Sequence, residues 1–155
     1  MLTETRSQLL DELNTRILQE LTADPRLRTT ELARRLGVST PTVRERVARL
    51  EESGVIRGYR LDLDPGALGR PVAAWVRLRP GPNQIPKIID LAERVPEVVE
   101  CHRISGEDCF LIRVQVAEIA ALEGVLDQFL PHGQTTSSFI VSTPIPPRSV
   151  PLSAG

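Results

Sequence analysis

Between Thr29 and Gly54 the residue types punctuate the chain so closely that two short helices and the turn joining them can be read directly. Leu32, Ala33 and Leu36 recur at helical spacing after Thr29 or Thr30, either of which can cap the helix, and Gly37 is the residue that best tolerates a left-handed turn. Ser39 is a second N-cap. Pro41 falls in the first turn, where its missing N–H costs nothing, and Val43, Val47 and Leu50 mark one face until Ser53 and Gly54. Upstream, Leu9, Leu10, Leu13, Ile17, Leu18 and Leu21 recur at steps of three and four, which predicts an amphipathic helix over residues 8–22 that ends between Ala23 and Pro25.

This order is that of a helix-turn-helix, in which the second helix enters the DNA major groove while the first braces it across the backbone. With Val43, Val47 and Leu50 turned inward, 100° per residue places Arg44, Glu45 and Ala48 outward, flanked by Thr42 and Arg49. Ser39, Thr40, Pro41 and Thr42 form the end that would meet base edges. The candidate DNA contacts are therefore Ser39, Thr40, Pro41, Thr42, Arg44, Glu45 and Arg49; the alternative is a merely solvated face of a helical bundle. Charge bears on the choice. The chain's formal net charge is −1, yet residues 26–60 carry nine arginines against four glutamates, a local excess of five positive charges. Arginine also outnumbers lysine, which occurs once, at Lys87. Its planar fork suits phosphate and guanine, although a codon bias would explain the excess without explaining the clustering.

The 155 residues fit one ordinary domain or two small ones, and 41% hydrophobic with 25% charged residues is globular composition. No apolar run approaches the roughly 20 residues of a membrane helix, and MLTETRSQLLDELN does not read as a secretory leader. A cytoplasmic, nucleoid-associated location is expected, with no membrane partner. Two cysteines, Cys101 and Cys109, and two histidines, His102 and His132, make a poor supply of metal ligands. No metal, cofactor or catalytic residue is predicted.

Val55–Leu61 reads as a short strand, and LDLDPGALGRP is a turn-rich connector that separates an N-terminal domain, residues 1–61, from a second one by a linker at 62–71. From Val72 the period changes to two. Val72, Ala74, Val76 and Leu78 alternate as a strand; Ile85, Ile88, Ile89, Ala92 and Val95 follow helical spacing; Val98–Ser105 and Cys109–Val116 form a hairpin about a tight Gly106, Glu107, Asp108 turn. Ile119, Leu122, Leu126 and Phe129 give another helix, and Thr135–Thr143 a last strand. Strand, helix, strand, strand, helix, strand is the split ferredoxin-like arrangement. Phe110, Ile112 and Val114 on one side and Leu111 on the other leave apolar groups on both faces of the sheet, so a second copy of the chain is expected to cover the open one. Residues 72–145 make this second domain and 146–155 a loose tail. Across the hairpin the cysteines fall opposite Ile112 or Arg113 and opposite Ile104 or Ser105, too far apart for a disulfide.

The segment ELARRLGVSTPTVRERVARLEESGVIRGYRLDLDPGALG, preceded by LDELNTRILQEL, resembles the N-terminal domain of the Lrp/AsnC (leucine-responsive, feast/famine) transcription regulators. GEDCFLIRV and TTSSFIV resemble the hairpin and last strand of their regulatory RAM domain, so the resemblance spans about Leu9 to Thr143. It implies an α+β chain: a winged-type helix-turn-helix domain followed by a ferredoxin-like βαββαβ RAM domain. It also implies binding to double-stranded DNA, a homodimer commonly assembled into octamers, an amino acid or related small molecule as effector, and no enzymatic activity. The effector loop it implies comprises Ser105, Gly106, Glu107 and Asp108, with hydroxyls from Thr135, Thr136 and Ser138; plain turn chemistry and solvated strand residues are the alternatives. Asn14 stands where family members often have aspartate, a surface change expected to be harmless. Cys109 stands where many have aspartate, a change that would favour a ligand without an ammonium group. Two other functions share the frame. One is an enzyme like the siroheme decarboxylases, which rely on histidines in the RAM-like half. The other is an architectural protein that binds DNA with little sequence preference.

Overall fold

Asp11 starts the first helix by accepting a hydrogen bond from the Asn14 N–H at 2.8 Å, and α1 then runs Glu12–Ala23. The computed structural model describes residues 9–152, so the expected helix start at residue 8 lies outside the described residues. α2 spans Thr29–Leu36, and its N-cap is Arg28 rather than Thr29 or Thr30. The ladder begins one residue early, with the Leu32 N–H donating to the Arg28 carbonyl, so both threonines are helical and no side chain caps the end. Gly37 closes α2 at φ 70°, the left-handed conformation its position requires. α3 spans Thr40–Glu52 with Ser39 as N-cap and Pro41 in the first turn. Ile17, Leu18, Leu32, Ala33, Leu36, Val43 and Leu50 form the common core.

Three further expectations fail in this helical unit. Val55–Leu61 is not a strand: the Ile56 N–H donates back to the Leu50 carbonyl to close α3, Val55 and Ile56 pack onto the helical core, and no described segment offers the rest a ladder. The tail is not loose throughout, because Leu152 packs against the same core. Asn14 is not a surface residue. It is buried, with its side-chain amide donating to the Leu9 carbonyl at 2.7 Å, while its Oδ1 has no partner among the described residues.

The described chain divides into this helical unit, which takes in the residues up to Leu61 and those from Pro147 on, and a second unit, Asp62–Pro146. In the second, β1 (Val72–Pro80), α4 (Ile85–Arg94), β2 (Val98–Arg103), β3 (Phe110–Val116), α5 (Ile119–Phe129), a 3₁₀ turn (Leu130–His132) and β4 (Gly133–Phe139) follow in order. The sheet is antiparallel throughout, in the order β2-β3-β1-β4. Alternation sends Ala74, Val76, Leu78, Phe110, Ile112 and Val114 to one face, where they pack with Ile88, Ala92, Leu122, Val125 and Phe129 of the two helices.

The other face is not a plain apolar surface. Trp75 and Leu111 lie on it half-buried, but Arg77, Arg79 and Arg113 share it. A register shift between Val98 and Glu100 bulges edge strand β2 and places Glu100 and His102 on that face as well.

Candidate functional site

The outer surface of α3 is set by what its inner surface must bury. Val43 and Leu50 are fully buried, so Arg44, Glu45 and Arg49 are exposed and Thr42 and Ala48 half-exposed. At the start of the helix the Ser39 Oγ accepts from the Thr42 N–H at 3.2 Å and shares a 2.7 Å hydrogen bond with the Thr42 hydroxyl. Those two side chains are therefore engaged in the cap, leaving Thr40 and Pro41 beside them. Glu45 and Arg49 satisfy each other at 2.6 Å, one helical turn apart. Arg44 has no ion-pair partner among the described residues.

The neighbouring arginines divide in an orderly way. Arg46 pairs with Asp11, the residue that caps α1, and so braces α3 against α1 instead of facing outward. Backbone donation from Asn14 and the Arg46 guanidinium hold the Asp11 carboxyl below its ordinary range against the opposing effect of burial. Arg34 and Arg35 both reach Glu31, at 2.7 and 3.0 Å, and Arg35 also reaches Glu20 at 2.8 Å. Their hydrogen bonds hold the Glu31 carboxyl down to about 2. Arg26, Arg28, Arg57 and Arg60 join Arg44 in lacking ion-pair partners among the described residues. Sequence reasoning missed the Arg46–Asp11 brace because the two residues are 35 positions apart, beyond any local spacing rule.

In the sheet unit the hairpin is wider than a three-residue turn. The Ile104 N–H donates to the Cys109 carbonyl at 2.9 Å, which leaves Ser105–Asp108 as a four-residue tip with Gly106 at φ 110°. Arg79, near the end of β1, pairs with both acids of that tip: its Nη2 lies 2.7 Å from Glu107 Oε2 and its Nε 3.2 Å from Asp108 Oδ1. The backbone at Arg79 is itself confined. A Cβ added at Gly133, where β4 starts, would sit 2.2 Å from the Arg79 carbonyl oxygen, so only glycine allows the two strands this approach.

The three hydroxyl residues do not share one face. Thr135 lies opposite Leu78, on the helix side of the sheet, whereas Thr136 and Ser138 lie opposite Arg77 and Trp75 on the open side. Sequence reasoning placed the hairpin tip but missed Arg79, which belongs to another strand 29 positions from Asp108. The strand alternation already put Arg79 on the open face, and the antiparallel register beside the tip was the signal that could have found it.

Elsewhere on the open face, the Arg113 Nη1 donates to Glu100 at 3.0 Å, and His102 stands 3.3 Å from the same carboxylate with its ring centroid 6.3 Å from that of Trp75. Burial opposes ionisation of Glu100, but the hydrogen bonds from His102 and Arg113 hold its carboxyl below the ordinary value. His132 shares a 2.9 Å hydrogen bond with Gln84. Both cysteines are free, and burial pushes the Cys101 thiol up. Among the described residues no three His, Cys, Asp or Glu side chains gather as metal ligands, and no helix is long and apolar enough to cross a membrane.

Comparison with known proteins agrees with both halves of this layout. Residues 10–57 match the family model for winged helix-turn-helix DNA-binding domains, and residues 72–150 match that of the Lrp/AsnC ligand binding domain. The chain is 34% identical to the HTH-type transcriptional regulator LrpA of Mycobacterium tuberculosis over 140 residues, covering 88% of this chain and 93% of that one. It is 32% identical to the HTH-type transcriptional regulator LrpC of Bacillus subtilis over 133 residues, 86% and 92% of the two chains. The solved LrpC structure superposes with a TM-score of 0.81 over 86% of this chain and 95% of that one. A transcriptional regulator of Neisseria meningitidis solved as its L-Met complex, 27% identical, superposes at 0.84 over 92% and 96%. With an exposed arginine on the second helix of a helix-turn-helix, a ferredoxin-like ligand domain following it in the sequence and relatives that match along most of their length, the chain belongs to the Lrp/AsnC family of transcriptional regulators.

Proposed function

We propose that this regulator acts as a homo-oligomer built from dimers, reads duplex DNA with the outer face of α3, responds to an amino acid or a closely related metabolite at the hairpin tip, and catalyses no reaction. The observation that carries the reading is the division of charge around α3. Arg34, Arg35, Arg46 and Arg49 are tied to acids, while Arg44 stands exposed, without an ion-pair partner among the described residues, in the middle of the groove-facing surface. Thr40, Pro41 and Thr42 approach base edges at the helix start, Arg44 contacts a base or a phosphate, and Arg49, with Glu45 orienting it, contacts the backbone.

Dimerisation is supported by apolar surface that water would otherwise cover. Tyr59 and Leu61, in the segment that forms no strand, and Leu63 just after it are 52%, 82% and 56% exposed, and Trp75 and Leu111 lie only half-buried on the sheet face that the two helices of the sheet unit do not cover. Octamers follow from joining such dimers. The effector site is assigned to Ser105, Gly106, Glu107 and Asp108, with Thr136 and Ser138 as the hydroxyls on the accessible face. A cytoplasmic, nucleoid-bound location accompanies this role. Non-enzymatic action is supported by the regulators among its relatives and by His102 and His132, which are held by Glu100 and Gln84 on separate elements.

Footprinting on genomic fragments, paired with light scattering, tests the reading. Protected half-sites lying about 10 bp apart or a multiple of it, centre to centre, are the expected result. A single isolated half-site protected by a monomer overturns the dimer.

A further inference from the structure

We propose that Arg79 is a specificity-determining residue that makes the hairpin site select small 2-oxo carboxylates over the corresponding amino acids; this rests on the hairpin tip being the effector site. The two ligand classes share a carboxylate and a side chain and differ at one position, where an amino acid carries an ammonium group and its 2-oxo analogue a carbonyl oxygen. An ammonium offers three donors and no acceptor, so it needs acceptors and is held best by a carboxylate; a carbonyl oxygen only accepts, so it needs a donor. At the tip of this chain both candidate acceptors for an ammonium are already engaged by a cation, each through one oxygen. Glu107 and Asp108 share the Arg79 fork through two different nitrogens, 2.7 and 3.2 Å away, and the next residue, Cys109, adds no charge.

An incoming ammonium would have to share both acids with a guanidinium and stand beside it, cation against cation. A 2-oxo acid brings no second cation to the guanidinium. Its carboxylate and carbonyl oxygens are acceptors throughout, and Arg79 remains about half exposed, with N–H groups that the two acids do not occupy. Gly133 keeps this arrangement in register, because the strand carrying Arg79 can lie so close to β4 only beside a residue without a side chain.

Charge-assisted contacts of this kind shift affinity by about tenfold or more when they are gained or lost. The experiment compares matched pairs (pyruvate with alanine, 2-oxoisocaproate with leucine, 2-oxoglutarate with glutamate) by calorimetry and thermal shift on the full chain and on Arg79→Met. The expected result is a 2-oxo acid bound about tenfold more tightly than its amino acid by the parent protein, and a reversed order in Arg79→Met, whose acids are freed. If Arg79→Met does not fold by circular dichroism, the Glu107→Gln, Asp108→Asn double variant decides instead. It should keep the 2-oxo acid and still decline the amino acid. Amino acids bound as tightly as their 2-oxo partners by the parent chain overturn the role of Arg79 while leaving the hairpin as effector site. No response to any compound in the parent and variants overturns both.

Discussion

The outer face of α3 and the tip of the β2–β3 hairpin are both charged, exposed and carried by short elements, yet they manage charge in opposite ways. On α3 the proposed DNA contact, Arg44, has no ion-pair partner among the described residues, and the counter-charges are spent on its neighbours: Asp11 on Arg46, Glu45 on Arg49, Glu31 on Arg34 and Arg35. At the hairpin both acids are paired from within by one cation, Arg79, which leaves the tip one negative charge in excess. The difference follows from what each surface would meet. DNA presents phosphate along every stretch of its length, so an open cation attracts it without prior selection and sequence preference can be added by the groove contacts. A small metabolite must be told apart from others of similar shape, and a site whose charges are already paired admits only what improves on that pairing.

The strongest way to break this comparison is to remove the support beneath one surface and ask whether the other survives. Leu50 is fully buried under α3 in the helical core, and that core shares no residue with the core of the sheet unit. Leu50→Ala should cost about 2–5 kcal/mol and abolish DNA binding, because the cavity cannot fully close. Ligand binding and the β-sheet signal in circular dichroism should persist. Loss of both functions together would show that the two surfaces are not separately supported.

The matching change on the other side is Gly133→Ala. Its methyl group would collide with the Arg79 carbonyl, so β1 and β4 must separate at the end where Arg79 meets the tip. A cost of about 1–3 kcal/mol is expected by thermal unfolding, together with weaker effector binding and unchanged DNA affinity at low temperature. Parent-like stability would mean that this approach between strands relaxes freely.

At the reading surface itself, Arg44→Ala should weaken binding to the preferred operator by about 1–3 kcal/mol if Arg44 contacts a base, relaxing specificity at one position. If it contacts a phosphate, binding to all sequences should fall together and the salt dependence should become shallower by about one ion. Titrations at several salt concentrations separate the two. An unchanged affinity in an Arg44→Ala, Arg49→Ala double variant that keeps its helical content would place the reading surface elsewhere.

The two surfaces were also unequally legible. Short-range rules carried the α3 side, since Gly37, Ser39 and Pro41 fix where helices stop and start and the spacing of Val43, Val47 and Leu50 fixes which side chains face out. The hairpin was legible as a hairpin, and its two-residue period placed Phe110, Ile112 and Val114 in the core. What escaped were contacts between positions far apart in sequence: Arg79 with the tip, Arg46 with Asp11, Leu152 with the helical core. Periodicity assigns a residue to a face and says nothing about which strand or helix stands opposite. Val55–Leu61 failed for a related reason: strand composition is local, but a strand exists only where another segment completes its ladder, and none described here does. Asn14 escaped because a polar residue was read as exposed, whereas its amide serves the carbonyl of Leu9 in the interior.

The smallest effect sharpens the comparison on the helical side, where acids hold down arginines that would otherwise compete with Arg44. Glu31 carries the most of this work, and its carboxyl, ordinarily near 4.5, is held at about 2 by Arg34 and Arg35. A folded-state value below the ordinary one means that the contribution to stability is fully present above about pH 4.5 and is lost as the pH falls toward 2. The group is on the surface, so salt should screen much of the effect. Melting temperature followed against pH, at low and at high salt, should fall more steeply for the parent chain than for Glu31→Gln within that window, with the curves converging at its acid end. Asp11, also held below its ordinary value, leaves the variant a residual slope of the same sign. Above the window, Glu31→Gln releases Arg34 and leaves Arg35 with Glu20 alone, next to the turn that precedes α3. Non-specific DNA binding should then rise slightly at low salt while the preference among operators falls. Parallel melting curves, or an operator preference that stays fixed while Glu31 is neutral, would mean that the paired arginines take no part in keeping the reading face selective.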